Sequence, residues 1–254
     1  MYNFRFTFII TLGFILLFSS YTSAEANEAP DEKVIKTYEE DVTGDGHKET
    51  ILLYGTPLSN DSKYYNSIWA TITFPDQSKA EISYKGGYQP ELTFADMNQN
   101  SVNDIIFSTI IDQQNEFRKY YLHTIKRREP SEISLPAQKY LKGIYQDQYK
   151  VELQISPIDD PKIVNVESKA KQYINSGIYN EDGRLLQSIS VHPQQFIEYE
   201  PVFLSSSKGY GLKSHQQING INKADKLGEV ETLWYYEGGK WIILHSKWKS
   251  TTKN

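Results

Sequence analysis

Alternating apolar residues most strongly limit what this chain can fold into. Apolar and polar side chains alternate with a period of two over several short runs that are rich in β-branched and aromatic residues. This period places the apolar side chains on one face of a strand, whereas a helix needs a period near 3.6. The clearest runs are Ile68, Ala70, Ile72 and Phe74, then Ala80, Ile82 and Tyr84 after a turn at 75–78, and later Val151, Leu153 and Ile155.

The end of the chain predicts a β-hairpin at 229–248. Gly238 and Gly239 form a two-residue turn signal between two aromatic runs. This turn would pair Tyr236 with Trp241 and Trp234 with Ile243, and would put His245 opposite Thr232. A short helix is predicted at 136–145, with Leu141 and Ile144 facing inward. The fold class expected is mainly β, with antiparallel hairpins in a small propeller-like or sandwich arrangement and at most one or two short helices.

The first residues are typical of an export signal and not of a folded domain. One arginine precedes an apolar stretch at 6–18, and small residues follow it up to Ala24. We predict a signal peptide at 1–24, a flexible lead-in at 25–33 and a single β domain at 34–250. Retention of the segment as a membrane anchor stays open. The chain has no cysteine, so export without disulfides favours a secreted or surface protein of a Gram-positive bacterium.

Two acidic loops repeat the same spacing of oxygen-bearing side chains. Residues 41–49 read DVTGDGHKE, and residues 96–104 read DMNQNSVND. Each loop leads directly into an apolar strand, and the two lie within a predicted repeat region at 34–111. Repetition of one pattern indicates a repeated supersecondary unit.

The spacing suits a hard cation. Calcium takes six to eight oxygen ligands, and alternate residues of a tight loop direct side chains toward one centre. Gly46 would allow the positive φ of a sharp turn, for which Ser101 in the second loop is less suited. The predicted side-chain ligands are Asp41, Thr43, Asp45 and Glu49 in the first loop and Asp96, Asn98, Asn100 and Asp104 in the second. The backbone carbonyls of His47 and Val102 are predicted to complete the two sets.

The two loops and the strands after them resemble the FG-GAP/VCBS-type repeats of secreted and surface proteins. The stretch 220–228 and the hairpin after it are similar to the end of small secreted VCBS-repeat proteins of bacilli and their relatives. The resemblance implies structural calcium between the strands of a propeller blade. Thr43 departs from the pattern, because Asp or Asn is usual there. The alternative is that these residues are ordinary turn formers.

Other chemistry has weaker signals in this sequence. A net charge of −5 argues against nucleic acid as the main partner. Without cysteine there is no disulfide-linked partner, and no metal-binding histidine motif or nucleophile motif occurs. Trp234, Tyr236 and Trp241 are candidates for stacking on a sugar of the cell wall.

These observations favour a non-enzymatic, exported, calcium-stabilised protein. Its role would be binding or structure at the cell surface or outside the cell, with a partner that the sequence does not name. Two alternatives remain: a carbohydrate or cell-wall binding module, and a secreted hydrolase without a recognisable motif.

Overall fold

The computed structural model describes residues 31–195 and 197–251. Its first part is a seven-stranded antiparallel sheet whose strands follow one another in chain order. These strands are β1 (Lys33–Glu40), β2 (Glu49–Pro57), β3 (Tyr64–Thr73), β4 (Lys79–Ala95), β5 (Asp104–Asp112), β6 (Phe117–Lys126) and β7 (Glu129–Glu132).

The seven-stranded sheet curls around its own core. The backbone N–H of Leu92 in β4 donates to the hydroxyl of Tyr38 in β1, two strands that are not neighbours in the sheet. The alternating apolar side chains of β2 to β5 fill the inside of the curl. The fully buried members include Ile51, Leu53, Ile68, Ala70, Ile72, Ile105 and Phe107.

The second part contains a five-stranded sheet and a three-stranded sheet. The five-stranded sheet has β11 (His192–Pro193), β12 (Glu198–Ser205), β13 (Gly209–Asn219), β14 (Lys226–Glu237) and β15 (Lys240–Ser250). The three-stranded sheet has β8 (Lys142–Gln146), β9 (Lys150–Gln154) and β10 (Lys162–Asn165). A 3₁₀ turn (Glu167–Lys169) continues into the short helix α1 (Ala170–Asn175).

A separate core joins α1 and the three-stranded sheet to the five-stranded sheet. Tyr145, Tyr173 and Tyr179 are among its buried members, together with Ile218 and Val230 of the larger sheet.

A third core joins the two parts of the molecule. Ile106 of β5 and Leu122 of β6 pack with Leu212 of β13 and Trp234 of β14. Because Ile105 and Phe107 face the inside of the curl, β5 is buried on both faces. This accounts for its nearly continuous apolar run, since a strand with no solvent face cannot alternate.

The mainly β fold class is confirmed, with curled antiparallel sheets that pack on one another and one short helix. The predicted pairs Tyr236–Trp241 and Trp234–Ile243 are also confirmed. His245 pairs with Leu233 and not with Thr232, because a register shift follows Leu233.

The helix predicted at 136–145 is wrong. Residues 133–141 are irregular and 142–146 form β8. Leu141 is buried as expected, but Ile144 is 47% exposed. Its neighbours Gly143 and Tyr145 face the core, and strand alternation then turns Ile144 outward. The short helix forms instead at 170–175, where Tyr173 anchors it in the core.

The signal peptide predicted at 1–24 and most of the lead-in lie outside the described residues. No helix in the described part of the chain is long and apolar enough to cross a bilayer. The single domain predicted at 34–250 stays a prediction.

Candidate metal centre

The two acidic loops share an internal hydrogen bond from the sixth residue to the first. The first aspartate of each loop accepts backbone N–H groups from within its own loop. Asp41 accepts from Gly44 at 2.6 Å and from Gly46 at 2.9 Å. Asp96 accepts from Asn100 at 3.1 Å and from Ser101 at 2.8 Å. The bond from the sixth residue is therefore common to both loops, whereas the other bond comes from the fourth residue in the first loop and from the fifth in the second.

The last carboxylate of each loop is buried and holds the second residue of that loop. Glu49 is fully buried and accepts the backbone N–H of Val42 at 2.9 Å. Asp104 is also buried and accepts the N–H of Met97 at 2.9 Å. These bonds close each loop at the start of the next strand, where the sequence places the final predicted ligand.

Both loops turn sharply at their fourth and sixth residues. The φ angles are +77° at Gly44 and +84° at Gly46, and the equivalents Gln99 and Ser101 have +63° and +69°. Position six was expected from the sequence, but position four was not. Ser101 adopts the left-handed conformation, although it was judged less suited to it. The two internal bonds that Asp96 accepts help to hold it there.

The first loop brings three carboxylates together. One oxygen from each of Asp41, Asp45 and Glu49 lies within 4.8 Å of the others. No lysine or arginine in the described residues forms an ion pair with any of the three. His47 lies 3.3 Å from Asp45 and is otherwise largely exposed. The site therefore concentrates negative charge without a lysine or arginine partner among the described residues.

The protonation state of Asp41 favours a cation. Desolvation opposes ionisation of Asp41, but the N–H groups of Gly44, Gly46, Thr43 and Asp45 together outweigh it and lower its pKa. Asp41 is therefore ionised at neutral pH. The hydroxyl of Thr43 donates to Glu49 at 3.2 Å, which leaves the lone pairs of its oxygen free. The three carboxylates and this hydroxyl thus offer four of the six to eight oxygens that calcium takes.

In the second loop, a predicted ligand side chain is itself hydrogen-bonded within the protein. The side-chain amide of Asn98 donates to Asp104 at 2.6 Å and to the hydroxyl of Thr124 at 3.2 Å. Burial raises the pKa of Asp104 to about 6, although the hydrogen bonds from Thr124, Met97 and Asn98 oppose this. With Asn98 directing N–H groups at the carboxylate, this loop offers a cation fewer oxygens than the first.

Sequence reasoning missed that the two loops lie side by side. The side chain of Asn103 donates to Glu40 at 2.9 Å, and Gly44 faces the side chain of Val102. The side chain of Gln99 leaves the second loop and donates to the backbone carbonyl of Tyr210 at 2.7 Å. No local pattern in the sequence predicts these contacts, because the curl of the sheet creates them.

The second position of each loop was also overlooked. Val42 is buried in the core inside the curl, whereas Met97 is buried in the core between the two parts. An apolar residue at the second position of an otherwise polar loop was the sequence signal that could have predicted this burial. The second loop is therefore built into the junction between the sheets, and the first is not.

One of the aromatic candidates for sugar binding is not at the surface. Trp234 is 4% exposed, and its indole N–H donates to Ser214 at 2.8 Å. It faces the core because it alternates with Leu233 and Tyr235, which turn outward. Tyr236 and Trp241 are partly exposed and pack edge to face, with ring centroids 5.0 Å apart.

The C-terminal part of the chain is similar to a known family. Residues 139–249 match the family model of the YybI C-terminal domain. The chain is similar to the uncharacterized protein YybI of Bacillus subtilis strain 168, with 24% identity over 217 residues, covering 80% of this chain and 79% of that protein. No solved structure matches. The matched domain spans β8 to nearly the end of β15, so both acidic loops lie outside it.

Proposed function

We propose that the protein is exported and works outside the cell or at its surface as a calcium-stabilised β protein with a binding or structural role. The first loop, 41–49, is the main calcium site in this proposal. The observation that carries it is the group formed by Asp41, Asp45 and Glu49, none of which has a lysine or arginine ion-pair partner in the described residues.

Charge explains why this group favours a divalent cation. Three carboxylates held close together repel one another, and a bound cation replaces that repulsion with attraction. The loop backbone already holds Asp41 and Glu49 in place through N–H donors. The loop therefore needs little further ordering when calcium binds. Calcium would supply positive charge and would link the end of β1 to the start of β2.

The expected role of the ion is structural. Calcium sites of extracellular proteins have dissociation constants of about 10⁻⁴–10⁻³ M. At about 1 mM calcium, one such site adds about 0.4–1.4 kcal/mol to the free energy of unfolding. This is a useful fraction of the typical net stability of about 5–15 kcal/mol.

The test is a thermal melt of the purified protein in EGTA and in millimolar calcium. We expect calcium to raise the midpoint of the wild type by several degrees. Asp45→Asn should show a clearly smaller rise, since it keeps the size of the side chain but removes a charge. Asp61→Asn is the control, because Asp61 is exposed on a loop outside both sites.

Two results would count against the proposal. One is a wild-type midpoint that does not respond to calcium. The other is an equal response of Asp45→Asn and the wild type, which would place the ion elsewhere. Magnesium at the same concentration separates calcium binding from a general effect of ionic strength.

A further inference from the structure

The outer face of the seven-stranded sheet is only partly covered. At β5 and β6 it packs on the five-stranded sheet through Ile106 and Leu122. Farther toward β1, a row of paired residues runs across four strands and is not part of the three cores. The row is Val34, Tyr54, Trp69 and Ser83, each paired with the next.

Two aromatic rings of this row stack on each other. The ring centroids of Tyr54 and Trp69 lie 5.4 Å apart, and their planes differ by 9°. A groove of about 380 Å³ adjoins Trp69. Residues of β3 and β4 line it, together with Glu32, whereas Tyr54 does not. Tyr54 therefore supports one face of the tryptophan ring from outside the groove, and Trp69 itself is one of the lining residues.

Of the other lining residues, Ile68 and Tyr84 have side chains that belong to the core inside the curl, and the remaining four carry side-chain oxygens. They are the carboxylates of Glu32 and Glu81 and the hydroxyls of Ser67 and Ser83. Neither carboxylate forms an ion pair within the described residues, and no lysine or arginine lines the groove. The groove thus combines an apolar ring with acceptors for hydroxyl groups.

We propose that this groove binds a neutral glycan, with Trp69 as the stacking platform. The apolar C–H face of a sugar ring packs on the indole. Its hydroxyl groups donate charge-assisted hydrogen bonds to Glu32 and Glu81. The site differs from the aromatic residues of the C-terminal hairpin and does not depend on the calcium loops.

The lining argues against anionic ligands and offers no cage of several rings for an ammonium group. Two unpaired carboxylates repel anionic polymers. Recognition of an ammonium group by an aromatic cage uses several ring faces around the cation. Here Trp69 is the single ring that faces outward into the groove, because Tyr84, which also borders it, stacks on Phe107 in the core. A neutral sugar is the ligand that uses both the ring and the acceptors.

The test is titration calorimetry of the full-length purified protein with tetrasaccharides of glucose and of N-acetylglucosamine. Polygalacturonate and choline serve as the anionic and cationic comparators. We expect the wild type to bind at least one neutral tetrasaccharide. Trp69→Ala should weaken this binding at least tenfold, and Glu81→Gln should weaken it severalfold.

Phe203→Ala is the matched control. Phe203 is an aromatic residue that is 61% exposed on the other part of the molecule, so its loss should leave glycan affinity unchanged. Melting curves show that each variant is folded. The inference is overturned if the wild type binds neither tetrasaccharide, if Trp69→Ala binds as the wild type does, or if choline or polygalacturonate binds in preference.

Discussion

Gly44 of the first loop lies directly against Val102 of the second. A Cβ atom at residue 44 would overlap a methyl group of Val102. The two loops start 55 residues apart in sequence, and they meet because the curl brings the β1–β2 and β4–β5 connections together. The missing side chain at Gly44 is what allows this close approach.

Substitution of Gly44 tests the contact between the loops. Gly44→Ala should lower the free energy of unfolding by about 2–4 kcal/mol, because it combines a strained positive φ with steric overlap. Gly46→Ala has the same backbone problem but no atom within 4 Å of the new Cβ, so about 1–2 kcal/mol is expected. Urea unfolding measures both. Equal losses would mean that the loops move apart without cost.

A third carboxylate should strengthen the second loop as a calcium site. Asn100 is the equivalent of Asp45, and its side-chain oxygen accepts the N–H of Val102 at 2.9 Å. Asn100→Asp keeps this bond and adds a negative charge near Asp96. In EGTA the variant should melt slightly below the wild type, because the new charge is not neutralised. In calcium its midpoint should rise by more than that of the wild type. A smaller rise would show that the loop cannot present its oxygens to the ion.

A buried acid anchors the short helix to the five-stranded sheet. The side chain of Asp225 is fully buried and contacts Lys169 at 2.5 Å and the hydroxyl of Tyr173 at 2.8 Å. Asp225→Ala should cost about 3–5 kcal/mol, since it removes the buried acceptor of Lys169, of the Tyr173 hydroxyl and of the backbone N–H of Ile221. Glu200→Ala is the control, because its pair with Lys213 is wider, at 3.7 Å, and more exposed. Its cost should stay below about 1 kcal/mol in the same denaturation series.

His123 should contribute to acid sensitivity. Burial lowers its pKa below the usual 6.5, although Glu132 opposes this. The unfolded chain then binds more protons than the folded chain between the two pKa values, so stability falls as the pH drops below about 6.5. In His123→Gln, measured in EGTA, stability should depend less on pH between 5 and 7 than in the wild type.

The exposed His245 provides the control for this experiment. His245→Gln should keep the pH dependence of the wild type, since the other titrating groups are the same in both. If His123→Gln and the wild type have parallel stability curves, protonation of His123 does not contribute.

Loss of the Gln99 side chain should loosen the junction between the two parts. Gln99 donates to the carbonyl of Tyr210, and Gly209 lies against its side-chain oxygen. Gln99→Ala should cost about 0.5–1.5 kcal/mol. Hydrogen exchange should increase at the β12–β13 turn, while the β14–β15 turn serves as the internal control. Unchanged exchange at 209–211 would show that the apolar core alone holds the parts together.

The sequence was most informative where one face of a strand meets water. Ile68, Ala70 and Ile72 were placed on the buried face by their alternation alone, and all are at most 1% exposed. The hairpin register was also predictable as far as Trp234, because a two-residue turn fixes the first cross-strand pairs. In the first loop, the spacing predicted that Asp41, Asp45 and Glu49 would lie together, because all three belong to one short stretch of chain.

Long-range contacts explain the parts that could not be predicted. Trp234 is buried by packing against Leu212 and Ile106, which no local pattern encodes. The helix expected at 136–145 does not form because part of this segment pairs as a strand, with Ile144 opposite Glu152 in β9. The register shift after Leu233 moved His245 by one position. The Trp69 groove depends on which part of the sheet stays uncovered, and this is a property of the whole fold.

The bond from Gln99 ends on a main-chain carbonyl and not on a side chain. Every amino acid carries that carbonyl, so residue 210 can change during evolution without loss of the bond. An insertion or deletion in the β12–β13 turn would instead move the acceptor out of reach. Natural relatives of this protein should therefore vary in residue identity at this turn while its length stays fixed.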